Sequence, residues 1–284
     1  MGKHFLIYTN KHKDGQLAVT ERIQKYLEDR GQRVSFRIKD RDWKENPEKD
    51  DAIIPEDVDL MLVLGGDGTV LQAARETIQY HIPMIGVNLG TLGYIAQIET
   101  SGLDVALEQL LKGDYSKESR MLLKGQTILE NGEIREDLAL NDIVIARSGY
   151  LRIVSIRIIV NGMFLNEYQA DGIIITTPTG STGYNLSAGG PLVEPSAKLI
   201  MLTPICPHTL NQRSIILSAE DEIEIEIPLG KEDKEQELEA YFDGTRSMTL
   251  RSGDRILVKK SEECAEFIQL SKISFLEKLH QKMS

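Results

Sequence analysis

The sequence predicts two domains, an α/β domain with a parallel sheet over residues 1–118 and an all-β sandwich over residues 119–270. The first third of the chain alternates short apolar runs with helical periods, which is typical of a parallel sheet with crossover helices. Beyond Ser119, alternating strands and tight turns replace the helical pattern. A chain of 284 residues is long enough for two domains of ordinary size. Residues 271–284 return to helical spacing, and we expect a terminal helix that packs on the first domain.

The first domain is predicted to contain four strands and three helices. Gly31 and Gly113 are placed to end the first and third helices. The charged segment 39–57 carries two prolines and is predicted to be a surface loop, with Trp43 as a packing anchor or a lid residue. In chain order the predicted elements are strand 5–8, helix 17–27, strand 34–38, strand 60–64, helix 70–79, strand 84–88 and helix 103–111.

The second domain carries hairpin signals. Asn-Gly and Asp-Gly pairs between alternating segments favour tight turns, and they occur at Asn131-Gly132, Asn161-Gly162 and Asp243-Gly244. Isoleucine alternates with glutamate over residues 222–227, so one face of that strand should be buried and the other solvated. The charged run 231–237 is predicted to be a solvated hairpin loop.

The composition argues against several classes of protein. The formal net charge is −11, from 33 basic and 44 acidic residues, which disfavours a nucleic-acid partner held by phosphate neutralisation. Cys206 and Cys264 lie far apart and form neither a zinc pattern nor a disulfide framework. The apolar runs are too short for a signal peptide or for a membrane span of about 18 residues. We therefore expect a cytoplasmic protein with reduced thiols and no membrane partner.

The first candidate site lies where a buried strand ends in glycine. Five apolar residues, 60–64, are followed by Gly65-Gly66-Asp67-Gly68-Thr69 and then by a helical pattern. Glycines let backbone N–H groups approach an anion, and a helix N-terminus adds positive partial charge, so this pattern predicts a phosphate site. The carboxylate of Asp67 indicates catalysis or a metal ion; the alternative is a plain strand–helix turn with Asp67 as its N-cap. The chain lacks both the Walker P-loop string and the G-x-G-x-x-G fingerprint.

Two further segments have the composition of a binding site. A second Gly-rich turn, 89–94, follows the next predicted strand, and loops after adjacent parallel strands share one edge, so both turns are expected to face one ligand. A stretch rich in Gly, Ser and Thr, 176–191, follows a buried strand in the second domain and contains Tyr184. Long loops inside compact domains are commonly functional, and hydroxyls with one aromatic ring suit a nucleotide. The alternative is a polar surface loop with many small turns.

Together these motifs resemble the bacterial type of NAD kinase. The resemblance rests on Gly-Gly-Asp-Gly-Thr at 65–69, on Leu140-Asn141-Asp142 ahead of an apolar strand, and on the run from Asp171-Gly172 to Thr177-Pro178-Thr179-Gly180-Ser181-Thr182. It covers nearly the whole chain in the family's order and spacing. Diacylglycerol and sphingoid lipid kinases share the first motif but usually lack the last. Two positions depart from many members, which have Ala in place of Gly183 and Glu in place of Asp142.

The resemblance implies a 6-phosphofructokinase-like α/β domain for the phosphate donor, a β-sandwich domain for NAD, and an active site between them. The implied reaction transfers the terminal phosphoryl group of ATP, or of polyphosphate in some members, to the 2′-hydroxyl of the adenosine ribose of NAD, giving NADP. Mg²⁺ or another divalent cation is the implied cofactor, although no carboxylate cluster in the sequence fixes its ligands. The implied assembly is a homodimer or homotetramer.

The resemblance also assigns roles to residues. It places Asp67 near the attacking 2′-oxygen, as proton acceptor or metal organiser, and it places Asn141 and Asp142 on the ribose hydroxyls. A buried Asn–carboxylate pair suits a diol, because the amide N–H donates while the amide oxygen and the carboxylate accept. Ser187 and Asp171 would meet the amide groups of NAD, Asp171 across a subunit boundary. Without the resemblance, Asp142 and Asp171 could be a strand-end and a turn carboxylate. The implied nucleotide- and phosphate-binding residues are Gly65, Gly66, Gly68, Thr69, Asn141, Asp142, Asp171, Thr179, Thr182, Gly183, Tyr184 and Ser187.

Two other functions remain open on the sequence. A lipid kinase would phosphorylate diacylglycerol or a sphingoid base. A non-catalytic NAD(H) sensor would bind dinucleotide without making NADP, and the intact Asp67 argues against it. His208 and Arg213 could reach a phosphate or serve only in structure.

Overall fold

The computed structural model describes residues 2–40, 54–90, 93–149, 153–208, 213–270 and 279–280. The chain divides into two compact units, Met1–Arg120 with Cys264–Ser284, and Met121–Glu263. The first unit has parallel strands with helices and the second has antiparallel strands, so the predicted fold class is confirmed. Trp43 and most of the predicted terminal helix lie outside the described residues.

In chain order the first unit contains β1 (His4–Asn10), α1 (Ala18–Glu28), β2 (Arg33–Lys39), β3 (Leu60–Gly65), α2 (Asp67–Thr77), β4 (Met84–Asn88), β5 (Ile98–Glu99) and α3 (Leu103–Lys112). Its strands pair in parallel in the order β5-β4-β3-β1-β2. The strand order reverses between β1 and β3, and open parallel sheets bind ligands beyond the carboxyl ends of the strands at such a point. The Gly-rich turn after β3 is at this edge.

The core of the first unit explains why β3 is an uninterrupted apolar run. All six of its residues are buried, because side chains that alternate between two covered faces must both be apolar. Leu62 and Leu64 pack with Ile23 and Leu27 of α1 and with Leu107 of α3 in one cluster. The helix that follows β3 starts at Asp67, three residues before the predicted start, because Gly66 already serves as its N-cap.

The second unit contains most of β6 (Ser116–Ile128) and of β17 (Arg255–Gln269), which both cross the boundary between the units. Between them lie β7 (Ile134–Ala139), β8 (Asp142–Arg147), β9 (Val154–Val160), β10 (Met163–Ala170), β11 (Gly172–Thr176), α4 (Tyr184–Ser187), β12 (Leu199–Ile205), β13 (Ile215–Ser218), β14 (Ile223–Glu226), β15 (Glu237–Phe242) and β16 (Arg246–Arg251).

Two antiparallel sheets form the predicted sandwich. One has the order β13-β12-β11-β8-β15-β16, and the other contains the run β10-β9-β14-β17. Alternate residues of β8 and β14, such as Ile143, Ile145, Ile223 and Ile225, meet in one buried cluster, which confirms the alternation read from the sequence. The three predicted hairpin turns are also confirmed; Asn161 and Asp243, for example, have φ of 50°. No helix in the described part of the chain is long and apolar enough to cross a membrane.

Candidate functional site

The turn predicted to bind phosphate joins β3 to α2. A Cβ atom at Gly65 would lie 2.3 Å from Oγ1 of Thr69, so only glycine lets the first turn of the helix pack this closely on the strand. Gly66 has extended backbone and Gly68 is exposed, so the backbone of both is available at the start of a helix, where anions are favoured. The Thr69 side chain is only 7% exposed. It therefore supports the turn as well as being a candidate donor.

Asp67 points its carboxylate at a neighbouring backbone segment. Its Oδ2 accepts a hydrogen bond from the N–H of Tyr94 at 2.7 Å, and its Oδ1 accepts from the N–H groups of Ile95 and Ala96 at 3.1 and 3.2 Å. A Cβ atom at Gly93 would lie 1.9 Å from Oδ1. The orientation of the Asp67 carboxylate therefore requires glycine at position 93.

The alternative that Asp67 is a helix N-cap is wrong. Gly66 is the N-cap, and α2 has no capping hydrogen bond from a side chain. A carboxylate offers about four lone-pair sites, and three backbone donors leave Oδ2 of Asp67 with room for one more hydrogen bond. The carboxylate of Asp67 is held in one orientation and can still accept a hydrogen bond from a further donor.

The two Gly-rich turns of the first unit lie side by side, as predicted. β3 and β4 pair in parallel with Gly65 opposite Asn88, and the N–H of Leu89 donates to Gly65 O at 3.1 Å. Residues 91 and 92, in the middle of the second turn, lie outside the described part of the chain.

In the second unit, the segment 140–142 that leads into β8 is held from two sides. The Asp243 carboxylate accepts the N–H groups of all three residues at 2.9, 2.7 and 3.2 Å. Thr177 donates its N–H to Asn141 O at 2.8 Å and its hydroxyl to Leu140 O at 2.6 Å. The backbone that carries Asn141 and Asp142 is therefore fixed before any ligand binds.

This segment forms one end of a pocket of about 440 Å³. The size is in the range of small-molecule sites, which combine apolar walls with a few polar groups. Its polar groups come from the segment 140–142 and the Asp-Gly turn, and its apolar walls come from β8, β15 and α4. It is lined by Asn141, Asp142, Val144, Ala146, Tyr184, Tyr241, Asp243 and Gly244.

Two hydrogen-bond acceptors at that end lack donors. Oδ1 of Asn141 is buried and has no partner among the described residues. The Asp142 residue is 6% exposed, and within the described ranges no donor is bonded to its carboxyl group. Burial, with a smaller contribution from the charge of Asp243, raises the pKa of Asp142 to about 7. Buried acceptors without partners are costly, and a ligand with hydroxyl or amine donors would satisfy both of these acceptors.

The structure brings several other predicted residues to the same place. A Cβ atom on Gly183 would lie 3.7 Å from Nδ2 of Asn141 and 4.0 Å from Oδ2 of Asp142. Tyr184 lines the pocket and is 47% exposed; burial, with smaller effects of Cys206, Asp171 and Asp142, raises the pKa of its hydroxyl. Thr182 donates its hydroxyl to Thr179 O, at 3.4 Å.

Asp171 and Ser187 are not among the residues that line the pocket. Asp171 precedes β11 and lies near the end of the pocket away from Asp142, because Gly172 is paired with Ala146 of the pocket wall; Thr176, about 13 Å along the strand from Gly172, is paired with Asp142. The Asp171 carboxylate is paired with Nε of Arg147 at 2.9 Å. Ser187 is exposed at the end of α4. Neither residue lines the pocket that holds Asn141.

The run 176–191 is not the irregular polar loop that its composition suggested. It forms a 3-10 helix, Thr179–Thr182, followed by α4. Several hydroxyls that suited a nucleotide bind the protein's own carbonyl groups: Thr176 donates to Asn141 O at 2.9 Å, and Ser181 donates to Val193 O at 3.0 Å. By contrast, Oγ1 of Thr179 is buried without a partner in the described part of the chain.

Asn185 is a further anchor of this run, and it was not predicted from the sequence. It is fully buried, donates to Pro191 O at 3.0 Å, and accepts the Thr203 hydroxyl at 2.7 Å. A Cβ atom at Gly190 would lie 2.0 Å from its Oδ1. The sequence pattern at this position is an Asn close to a Gly-Gly pair. This pattern is common in ordinary turns, so it does not distinguish a buried anchor such as Asn185.

No group of three or more His, Cys, Asp or Glu side chains that could hold a metal ion occurs within the described ranges. His208 is exposed, and its N–H donates to Gln169 O at 2.8 Å. Arg213 is exposed as well.

A Gly-rich turn at the edge of a parallel sheet and an acceptor-rich pocket in a β-sandwich define a two-domain phosphotransferase that acts on a nucleotide. The family model of the ATP-NAD kinase N-terminal domain matches residues 5–115, and that of the ATP-NAD kinase C-terminal domain matches residues 140–270. The chain belongs to the NAD kinase family.

Individual relatives agree with this assignment over the full length. The NAD kinase of Lachnoclostridium phytofermentans is 45% identical, over 99% of this chain and 98% of the relative. That of Lachnospira eligens is 44% identical, over 99% of this chain and 100% of the relative. Among solved structures, an NAD kinase from Archaeoglobus fulgidus in complex with ATP is similar with a TM-score of 0.74 and 25% identity, over 98% of both chains. Yeast NADH kinase complexed with NADH has the same fold, with a TM-score of 0.85, 23% identity, and coverage of 99% of this chain and 88% of the yeast chain.

Proposed function

We propose that this chain is an NAD kinase that transfers the terminal phosphoryl group of ATP to the 2′-hydroxyl of the adenosine ribose of NAD, giving NADP. The observation that carries the proposal is the pair of acceptors without donors, Asn141 Oδ1 and the Asp142 carboxyl, at one end of a pocket. A ribose diol supplies two O–H donors side by side, which is the complement of such a pair.

In this proposal the second unit binds the adenosine half of NAD. The ribose hydroxyls donate to the ionised carboxylate of Asp142 and to Oδ1 of Asn141, while Nδ2 of Asn141 donates to a hydroxyl oxygen. The rings of Tyr184 and Tyr241 line the same pocket and offer aromatic surface to the adenine. The absence of a side chain at Gly183 leaves room beside the ribose groups.

The first unit then binds the phosphate donor and supplies the base. The backbone of Gly65, Gly66 and Gly68, at the start of α2, binds phosphate oxygens with the help of the helix dipole. In the transfer step the 2′-hydroxyl releases its hydrogen bond to the second unit and gives its proton to Asp67 while its oxygen attacks the terminal phosphorus; the bond from that phosphorus to the bridging oxygen breaks, and ADP leaves. Three backbone hydrogen bonds keep the carboxylate of Asp67 fixed for this role.

A divalent cation, expected to be Mg²⁺, fits this site if it binds together with the triphosphate of ATP. The described residues form no carboxylate cage, and Mg²⁺ commonly keeps several waters and binds through substrate phosphates. In the turn 65–69 only Asp67 carries a carboxylate, so it is the group that would meet the hydrated ion. When bound, the ion neutralises charge on the transferring phosphoryl group.

The remaining assignments are part of the same proposal. Thr69 and Thr179 serve as hydroxyl donors, and Thr182 borders the adenine. Asp171 and Ser187, which do not themselves line the pocket, bind the amide groups of NAD, Asp171 from a second copy of the chain in a homodimer or homotetramer. We also propose that the enzyme is cytoplasmic.

A coupled assay tests the proposed function. The protein is incubated with ATP, Mg²⁺ and NAD, and NADP is measured with an NADP-specific dehydrogenase; diacylglycerol and sphingosine replace NAD in parallel reactions with labelled ATP. We expect NADP and no labelled lipid. Labelled lipid without NADP would establish the lipid kinase instead, and NAD binding without NADP would establish a sensor.

A further inference from the structure

The Asp-Gly turn between β15 and β16 does more than connect two strands. Asp243 and Gly244 have φ of 50° and 66°, the left-handed values of a tight hairpin turn, and both residues line the pocket that holds Asn141. The N–H of Asp243 donates to Asp142 O at 3.0 Å. The turn thus continues the pairing of β15 with β8 up to the residues proposed to bind ribose.

The carboxylate of this turn holds three consecutive peptide groups. Oδ1 of Asp243 accepts from the N–H groups of Asn141 at 2.7 Å and of Asp142 at 3.2 Å, and Oδ2 accepts from the N–H of Leu140 at 2.9 Å. Hydrogen bonds to an ionised acceptor are roughly twice as strong as neutral ones. They fix the peptide planes on either side of Asn141, and these planes set the direction of its side chain.

We propose that Asp243 is a positioning residue for the kinase reaction: its carboxylate fixes the backbone of residues 140–142 so that the side chains of Asn141 and Asp142 meet the two hydroxyls of the adenosine ribose. This inference rests on the proposed function of those two residues. Asp243 acts through these two residues and takes no part in the transfer of the phosphoryl group or the proton.

The charge of Asp243 allows a second test of its positioning role, through the pKa of Asp142. Among the described residues of the pocket, the titratable groups besides Asp142 are Asp243 on the hairpin turn, Tyr184 on α4 and Tyr241 on β15. The negative charge of Asp243 adds to burial in raising the pKa of Asp142. Removing that charge should therefore lower the pKa of Asp142 and let the carboxylate form at lower pH.

The test is Asp243→Asn, because asparagine keeps the size and tolerates the left-handed turn but loses the charge and one acceptor oxygen. Asp254→Asn is the matched control: Asp254 likewise accepts two backbone N–H groups, from Glu130 and Arg251, each at 2.7 Å. Asp254 is buried whereas Asp243 is half-buried, and Asp254 lies outside the pocket. Asn141→Ala is measured in parallel to test the ribose assignment itself.

We expect Asp243→Asn to raise the KM for NAD by about tenfold, to change the KM for ATP by less than about twofold, and to move the acid limb of kcat/KM for NAD to lower pH. Asp254→Asn should lower thermal stability and leave both KM values and the pH profile unchanged.

If Asp243→Asn behaves like Asp254→Asn while Asn141→Ala raises the KM for NAD, the positioning role is overturned and the ribose assignment stands. If Asn141→Ala also leaves that KM unchanged, both fall. If Asp243→Asn does not fold, Asp243→Glu, which keeps the charge but displaces the carboxylate, should still raise the KM for NAD alone, and an unchanged KM would overturn the role.

Discussion

Replacing Asp142 with asparagine should make the protein more stable at neutral and alkaline pH while weakening its binding of NAD. The pKa of Asp142 is about 7 in the folded protein against an ordinary value of 3.8, because the carboxyl group is buried and faces Asp243. A difference of roughly 3 between these values corresponds to about 4 kcal/mol. A raised pKa stabilises the folded state below pH 3.8, and this contribution is lost progressively as the pH rises to about 7.

Thermal unfolding of the wild type and of Asp142→Asn, measured at intervals from pH 5 to 8.5, tests this linkage. Asparagine carries no charge at any of these values, so the Tm of the variant should exceed that of the wild type by an amount that grows up to about pH 7 and is constant above it. For a chain of this size, about 4 kcal/mol corresponds to roughly 10 °C. Asn141→Ala is the control, because it changes the same pocket without removing an ionisable group, and its Tm should follow the wild-type curve in parallel.

Asp142→Asn should also change the KM for NAD. A ribose hydroxyl that donates to a carboxylate contributes about 1.5–3 kcal/mol, so Asp142→Asn should raise the KM for NAD by at least about tenfold. In the wild type, that KM should fall as the pH rises through the pKa of Asp142, because the ionised carboxylate is a stronger acceptor for a ribose hydroxyl than the neutral carboxyl group. Parallel Tm curves for wild type and Asp142→Asn, or an unchanged KM for NAD, would refute the reasoning that this buried carboxyl is kept for its ligand.

Substitutions at four other positions, with one control, test the two sites. Asp67→Asn should reduce kcat by roughly a hundredfold to ten-thousandfold with NAD binding retained in calorimetry, and near-normal turnover would remove the carboxylate from the chemistry. Asn141→Ala should raise the KM for NAD more than that for ATP; the opposite ranking would contradict the ribose assignment. Gly93→Ala should lower kcat nearly as much as Asp67→Asn, because its Cβ would lie 1.9 Å from Oδ1 of Asp67, whereas Gly102→Ala, with open space around its Cβ, should leave kcat unchanged. Asn185→Ala should lower the free energy of unfolding by about 3 kcal/mol in urea titrations, and a loss below about 1 kcal/mol would show that the other hydrogen bonds of the run 176–191, such as that of Ser181 to Val193 O, hold it without Asn185.

Local features of the chain were readable from the sequence. The apolar run before Gly65 predicted β3, because a strand covered on both faces must be apolar throughout. The Asp243-Gly244 pair predicted a hairpin turn, because both positions need left-handed backbone. The turn composition of 65–69 and the presence of a strand before it were enough to predict a site at the edge of the sheet.

Features that depend on contacts between distant residues were not readable. Asp67 binds the N–H of Tyr94, and Asp243 binds that of Asn141 some hundred residues earlier in the chain; no local pattern encodes either contact. Composition also cannot separate a hydroxyl that binds a ligand from one that holds its own chain, as Thr176 does. The raised pKa of Asp142 follows from its burial, which appears only once the strands around it are assembled.

A crystal structure of the protein with NAD would test the central claim most directly. The account predicts that the two hydroxyls of the adenosine ribose lie within about 3.2 Å of the Asp142 carboxylate and of Asn141 Oδ1, with the adenine against Tyr184. An adenosine ribose bound elsewhere, with Asn141 Oδ1 still lacking a donor, would contradict it.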